Sequence, residues 1–173
     1  SDAKSNNPAV QLWIYQQWPS PQAFDNCMSG GGWTRGDWRP SAPASWEDAV
    51  HNELTYHEAV RAELVRLRPA DPPPYIVPGG NALVALKRAI EAGNVPGMSS
   101  FFPEIFAANG TDLHVSPKGA YLITAVFYAS MFQSEPPASA LDAQAGLSAE
   151  QGAIFRRIAW DTVSGYALSG VPR

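Results

Sequence analysis

The feature that most restricts the fold of this chain is a long amphipathic pattern that separates two short β-rich runs. The first run covers residues 9–15, and the second is Tyr75-Ile76-Val77. Between them, Ser45 and Asp48 resemble a capping box, and a stripe of residues then recurs at spacings of three and four: Val50, Leu54, His57, Val60, Leu64 and Leu67. Because parallel strands need a helical crossover, this order predicts an α/β domain in which helices flank a parallel sheet.

The rest of the chain supplies further helices but no third convincing strand. A helix is predicted over residues 82–92, an apolar helix from about Pro117 to Phe132, and a last helix after Ser148. A two-stranded parallel sheet leaves an edge and an apolar face exposed. We therefore expect N-terminal strands to be missing from this chain, and the sheet to be completed by a second polypeptide segment or by another copy of the chain.

Two regions stand outside this βαβ pattern. Residues 134–173 read as a C-terminal extension with a helix, and residues 17–44 as a long loop rich in Gly and Pro. The loop carries Trp18, Trp33 and Trp38. Loops of this length in compact domains are often functional, and aromatic rings there can stack on a sugar ring or an acyl group, or pack as core or lid residues. The three tryptophans are therefore candidate substrate-binding residues.

Composition argues against several classes of partner and cofactor. The chain has 12 basic and 16 acidic residues, so we expect no nucleic-acid partner. No apolar run approaches the roughly 20 residues that span a bilayer, so we expect no membrane partner. Cys27 is the only cysteine, and His51 and His57 lie about 240° apart around a helix, so we expect no metal site and no cofactor.

The strongest chemical signal is a histidine block at the start of the predicted apolar helix. Its pattern is His-x-Ser-x-x-Gly-x-Tyr, and it begins at His114. An imidazole works as a general base when an acceptor at Nδ1 fixes its tautomer and stabilises the imidazolium. Asp112 can act as that acceptor, whereas Thr111 can offer only a neutral hydrogen bond.

The run from His114 to Leu122 resembles the last conserved block of the SGNH/GDSL-type hydrolases. The segment from Tyr75 to Gly97 is similar to the penultimate strand and helix of bacterial members, and the resemblance extends over residues 9–133. It implies a flavodoxin-like SGNH fold of which this chain is the C-terminal part. It also implies serine-dependent hydrolysis of a carbohydrate O-acetyl ester or another small ester, with His114 as catalytic base and Asp112 as the orienting acid. The sequence does not determine the cellular compartment, and a periplasmic or secreted location is compatible with it.

The chain departs from the family's pattern in four places. The Gly-Asp-Ser block with the nucleophile and the two blocks that complete the oxyanion hole are absent, and Gly36-Asp37-Trp38 lacks the serine. The family's aspartate three residues before the histidine is replaced by Thr111. The resemblance thus implies a nucleophile supplied by a segment outside this chain. The alternative is a non-catalytic ligand- or carbohydrate-binding or structural module with a degenerate hydrolase fold.

Overall fold

The two β-rich runs and the amphipathic pattern between them form a βαβ unit. The computed structural model describes residues 10–22 and 43–172. Its elements in chain order are β1 (Trp13–Tyr15), α1 (Trp46–Leu67), β2 (Tyr75–Val77), α2 (Gly79–Glu91), α3 (Phe101–Ile105), α4 (Ala107–Gly110), α5 (Pro117–Phe132), α6 (Leu141–Gln144) and α7 (Ala149–Gly165). The mixed α/β class is confirmed, with helices as the larger part. None of the described helices is long and apolar enough to cross a membrane.

β1 and β2 pair in parallel, which confirms the predicted sheet. Ile14 lies opposite Ile76, and the Gln16 amide extends the ladder by donating to the Val77 carbonyl at 3.0 Å. On the far side of β2, the Ile76 amide donates to the Leu168 carbonyl at 2.9 Å, so the C-terminal segment covers that edge. Within the described ranges the sheet contains these two strands alone, and β1 has no second neighbour.

Helix α1 follows the sequence prediction in its bounds but not in its burial. The Ser45 side chain caps it by accepting from the Asp48 amide at 3.1 Å. Val50, early in the predicted stripe, is 1% exposed, whereas Leu64 and Leu67 are 39% and 56% exposed. Only the N-terminal half of the helix therefore reaches the core.

The uncovered half of α1 continues as an apolar surface onto the start of β1. Leu12 lines a cavity of about 180 Å³ together with Leu64, Val65 and the prolines of residues 72–74. We call Leu12, Leu64, Val65 and Leu67 the edge patch, since all four are exposed apolar residues. This patch begins at the strand that has no second neighbour among the described residues.

The core lies where α2, α5 and α7 pack on one another. Leu122 of α5 and Phe155 and Val163 of α7 are fully buried there. Helix α7 starts with the predicted cap, in which Ser148 and Gln151 form a reciprocal capping box. The C-terminal extension is therefore an integral part of the core and not an appendage.

The turn from β2 into α2 lies directly against the carboxyl end of β1. A Cβ atom at Gly80 would lie 2.6 Å from the Gln17 carbonyl oxygen, and one at Gly79 would lie 2.9 Å from the Gln16 carbonyl oxygen. The Gln16 side chain is buried. Its Nε2 donates to Asn81 Oδ1, and its Oε1 accepts from the backbone N–H of Asn81, both at 3.2 Å. Glycine permits this approach, so α2 begins at Gly79 and not at residue 82.

Replacing Gly80 by alanine should lower the free energy of unfolding by about 1–3 kcal/mol, because the added methyl group overlaps a backbone carbonyl. Gly165→Ala is the matched control, since a Cβ atom at the end of α7 meets nothing within 4 Å. That variant should stay within about 0.5 kcal/mol of wild type. Urea denaturation followed by circular dichroism measures both. Equal stabilities would show that close approach is not what requires glycine at residue 80.

A buried ion pair ties the connection before α7 to helices α5 and α7. Arg156 Nη1 donates to Asp142 Oδ2 at 2.7 Å and to the Tyr121 hydroxyl oxygen at 2.8 Å, and that hydroxyl donates to Asp142 Oδ1 at 2.7 Å. The Arg156 and Asp142 side chains are 10% and 13% exposed. Burial alone would raise the pKa of Asp142, but the hydrogen bonds from Arg156 and Tyr121 outweigh it and leave that pKa lowered.

Asp142→Ala should cost about 3 kcal/mol of stability at neutral pH, because it leaves the Arg156 charge buried without its partner. A carboxyl group whose pKa is lowered by folding stabilises the fold above its unfolded-state pKa, near 4, and loses that contribution as it is protonated. The difference between wild type and variant should therefore be constant above about pH 5 and shrink below about pH 4. Chemical denaturation at several pH values measures it.

The neighbouring pair on the surface of α7 supplies the control. Arg157 Nε donates to Asp161 at 3.0 Å, and these side chains are 63% and 57% exposed. Asp161→Asn should therefore change stability by less than about 0.5 kcal/mol. A stability difference for Asp142→Ala that persists undiminished near pH 2 would contradict its assignment to the ionised carboxylate.

Candidate active site

His114 lies at the end of a compact loop between α3 and α5. An antiparallel bridge between Phe106 and Val115 closes the base of the loop, and the Ala107 amide donates to the His114 carbonyl at 2.8 Å. Inside the loop Ala108 has a φ of 47°. A left-handed alanine is uncommon and persists only where the surrounding contacts enforce it. The structure therefore holds this loop in a fixed shape.

Asp112 and His114 form a dyad in this loop. Asp112 Oδ1 lies 2.8 Å from His114 Nδ1 and 3.0 Å from the His114 amide nitrogen. A carboxylate only accepts, so Nδ1 carries the proton in this contact and the lone pair of the neutral imidazole is on Nε2. The His114 side chain is 82% exposed, which leaves the ring open to solvent.

The environment of Asp112 favours its ionised form. Its pKa is lowered from the ordinary value, first by the hydrogen bond from the His114 backbone and then by the bond from the His114 ring. Thr111 does not compete for the histidine, because its hydroxyl donates to the Ala108 carbonyl at 2.9 Å. Of the two residues that the sequence offers as orienting group, the structure places Asp112 against the imidazole.

Trp18 connects the carboxyl end of β1 to the histidine loop. Its Nε1 donates to the Leu113 carbonyl at 3.0 Å, and its ring packs edge-on against Tyr15 and Phe106, with centroids 6.2 and 6.4 Å away. Trp18 is thus brought beside the dyad. Its indole donor is therefore used, and its ring is partly packed by these two aromatic neighbours.

The other sequence candidates of the long loop lie outside the described residues. They are two of the three predicted substrate-binding residues, Trp33 and Trp38, and the Gly36-Asp37-Trp38 triplet.

The dyad lies beside the rim where open α/β sheets bind their ligands, outside the carboxyl ends of the strands. Trp18 leaves β1 at that end, and the Gly79-Gly80 turn leaves β2 there. The contact between Trp18 and Leu113 joins the histidine loop to this rim. Sequence reasoning missed the pair that holds the rim together, Gln16 and Asn81. The only sequence signal for this pair was the position of Gln16, a polar residue placed immediately after an apolar strand.

Neither a nucleophile nor a metal site accompanies the dyad in the part of the chain that the structure describes. Ser116 is committed to the fold: its hydroxyl donates to the Glu104 carbonyl at 2.7 Å and accepts from the Gly119 amide as the cap of α5. None of the described serines is hydrogen-bonded to Nε2 of His114. The described residues also contain no group of three or more His, Cys, Asp or Glu side chains that could hold a metal ion.

Comparison of the chain with family models, curated proteins and solved structures finds no match to any of them. The Asp112–His114 dyad and the resemblance carried by the histidine block are therefore the features of this chain that point to a function. The Ser, Gly and Tyr of the histidine block each help to position α5. Ser116 caps the helix, Gly119 lets it approach α3, and Tyr121 binds Asp142 and Arg156.

Proposed function

We propose that this chain is the histidine-bearing part of a flavodoxin-like SGNH-type hydrolase and serves the serine-dependent hydrolysis of an ester. The observation that carries the proposal is the 2.8 Å contact between Asp112 Oδ1 and His114 Nδ1 in a ring that is 82% exposed. This arrangement supplies a base whose tautomer is fixed and whose other nitrogen is accessible. Its place beside the carboxyl rim of the sheet adds support.

In the proposed reaction, His114 Nε2 takes the proton of a serine hydroxyl as that oxygen attacks the ester carbonyl. It then returns the proton to the leaving alcohol. Asp112 stabilises the imidazolium that forms between these two steps, and its lowered pKa keeps it ionised while it does so. Trp18 borders the site on the side of β1 and would contact a carbohydrate O-acetyl ester or another small ester bound there.

The serine and the oxyanion donors come, in this proposal, from a segment outside the chain. Two features of the described residues support such a partner: β1 has no second neighbour, and the edge patch beside it is apolar and exposed. A strand added to β1 would satisfy its free backbone groups and cover apolar surface at the same time. It would also bring the new strand's carboxyl end to the rim that carries the dyad, provided it runs parallel.

His114→Ala should abolish ester hydrolysis by the enzyme that includes the serine-bearing segment, with kcat reduced at least about 10³-fold. Asp112→Asn should reduce kcat by about 10²- to 10⁴-fold, because the ring loses its charged partner and the amide can hold it in the wrong tautomer. Thr111→Val is the matched control and should leave kcat unchanged, since that hydroxyl bonds only the Ala108 carbonyl. Hydrolysis of aryl acetates by the full-length gene product measures all three.

The 173-residue chain by itself should show no such turnover and no labelling by a fluorophosphonate, which reacts with activated serines. Turnover that survives His114→Ala would remove the histidine from the mechanism. Failure of the full-length gene product to label or turn over would favour the alternative, a binding or structural module that retains the fold without its chemistry.

The isolated chain should self-associate through its edge patch, because an uncovered strand edge beside exposed leucines is a template for further pairing. Size-exclusion chromatography with light scattering should give a mass above that of one chain, and Leu64→Lys with Leu67→Lys should return it to the mass of one. A wild-type chain that runs as a monomer with one cooperative thermal transition would show that its sheet needs no partner.

A further inference from the structure

A second cavity lies between α5 and the connection that leads to α6. Its volume is about 450 Å³, which is within the roughly 300–1,000 Å³ range of small-molecule sites. One side is formed by one face of α5, with residues spaced three or four apart: Pro117, Ala120, Tyr121, Thr124, Ala125 and Tyr128. The other side includes Pro136, Pro137 and Leu141. We call this cavity the α5 groove.

The α5 groove begins next to the histidine block. Pro117 is the first residue of α5 and lines the groove. It follows His114 by three residues, so the two Cα atoms are at most about 11 Å apart. From Pro117 to Tyr128 the groove follows α5 for about 16 Å. One end of a molecule lying in it is therefore close to the loop that carries His114.

Two of the three hydroxyls on the helix side of the groove are already bonded within the protein, and the third belongs to Tyr128. The Tyr121 hydroxyl is held by Asp142 and Arg156, and the Thr124 hydroxyl donates to the Ala120 carbonyl at 2.9 Å. Apart from the Tyr128 hydroxyl, the helix presents aromatic ring, methyl and methylene surface to the groove. Such a lining favours a largely apolar ligand, for which the Tyr128 hydroxyl and the Gln144 side-chain amide are the polar groups in the groove.

The groove suits a hydrocarbon chain better than a peptide. A bound peptide must satisfy its own amides and carbonyls. Three of the lining residues are prolines, which have no backbone N–H to offer: Pro117, Pro136 and Pro137. A charged headgroup would find little support either, since Lys118 of α5 is paired with Glu104 and Arg156 with Asp142. The ligand expected from this lining is apolar and uncharged.

We propose that the α5 groove binds the acyl chain of an apolar, uncharged ester and presents the ester carbonyl to His114; this rests on the ester hydrolysis proposed above. The groove then selects esters by the length of the acyl chain. Of the substrates proposed above, the groove therefore favours an ester with a medium-length acyl chain over a carbohydrate O-acetyl ester, because an acetyl group would leave most of the groove empty.

Binding of n-alkanols to the 173-residue chain tests the groove without any turnover. Displacement of the neutral dye Nile red should show affinity rising up to about four-fold for each added methylene, and then levelling off when the groove is full. Ala120→Trp should weaken binding at least about ten-fold, because residue 120 is exposed on the groove side of α5 and an indole there fills the space. Ala59→Trp, at an exposed position on α1, is the matched control and should bind as wild type does.

In the enzyme that includes the serine-bearing segment, Ala120→Trp should lower the ratio of kcat/KM for decanoyl to acetyl esters at least about ten-fold. No alkanol binding, binding without dependence on chain length, or binding unaffected by Ala120→Trp would overturn the groove and leave the proposed hydrolysis standing. Alkanol binding together with turnover that His114→Ala does not change would overturn the proposed hydrolysis. The groove would then remain as a binding site for an apolar chain. A dimer that Ala120→Trp dissociates would assign the groove to a second copy of the chain and overturn the acyl proposal.

Discussion

The close contact between the β2–α2 turn and the end of β1 is the constraint on which the candidate site depends. Each strand is only three residues long, so the parallel pairing alone provides few hydrogen bonds. The buried Gln16 side chain adds two bonds to Asn81, and the glycines let the backbones approach to a distance that no side chain would allow. The carboxyl ends of both strands are thereby fixed at one place, from which Trp18 reaches the histidine loop.

The local features of the fold could be predicted from the sequence because they depend on neighbouring residues. The caps at Ser45 and Ser148 satisfy amides three residues ahead, and the parallel crossover follows from the length of the intervening helix. The extent of burial could not be predicted in this way. The stripe of α1 has the right period to its end at Leu67, but the period does not reveal whether anything covers it.

The site shows the same division between local and long-range contacts. The dyad could be suggested from sequence because Asp112 and His114 are two residues apart. The Trp18–Leu113 bond joins residues 95 positions apart, and the Tyr121–Arg156 bond joins residues 35 apart. The sequence identified Tyr121 only as the aromatic residue of the histidine block. It did not predict that the Tyr121 hydroxyl binds the buried Asp142–Arg156 ion pair. Such contacts are set by packing, for which this sequence carries no periodic signal.

The local origin of the dyad bears on how a divided hydrolase could work. The Phe106–Val115 bridge and the bond from Ala107 close the histidine loop on itself, and Asp112 orients His114 from within it. The base is therefore set in place by short-range contacts and does not depend on strands outside the chain. In the hydrolase proposed above, a partner segment would have only to deliver a serine and its oxyanion donors to a rim that is already formed. Preorganisation of this kind would lower the ordering cost of assembly, because the proposed base is fixed before the other groups arrive.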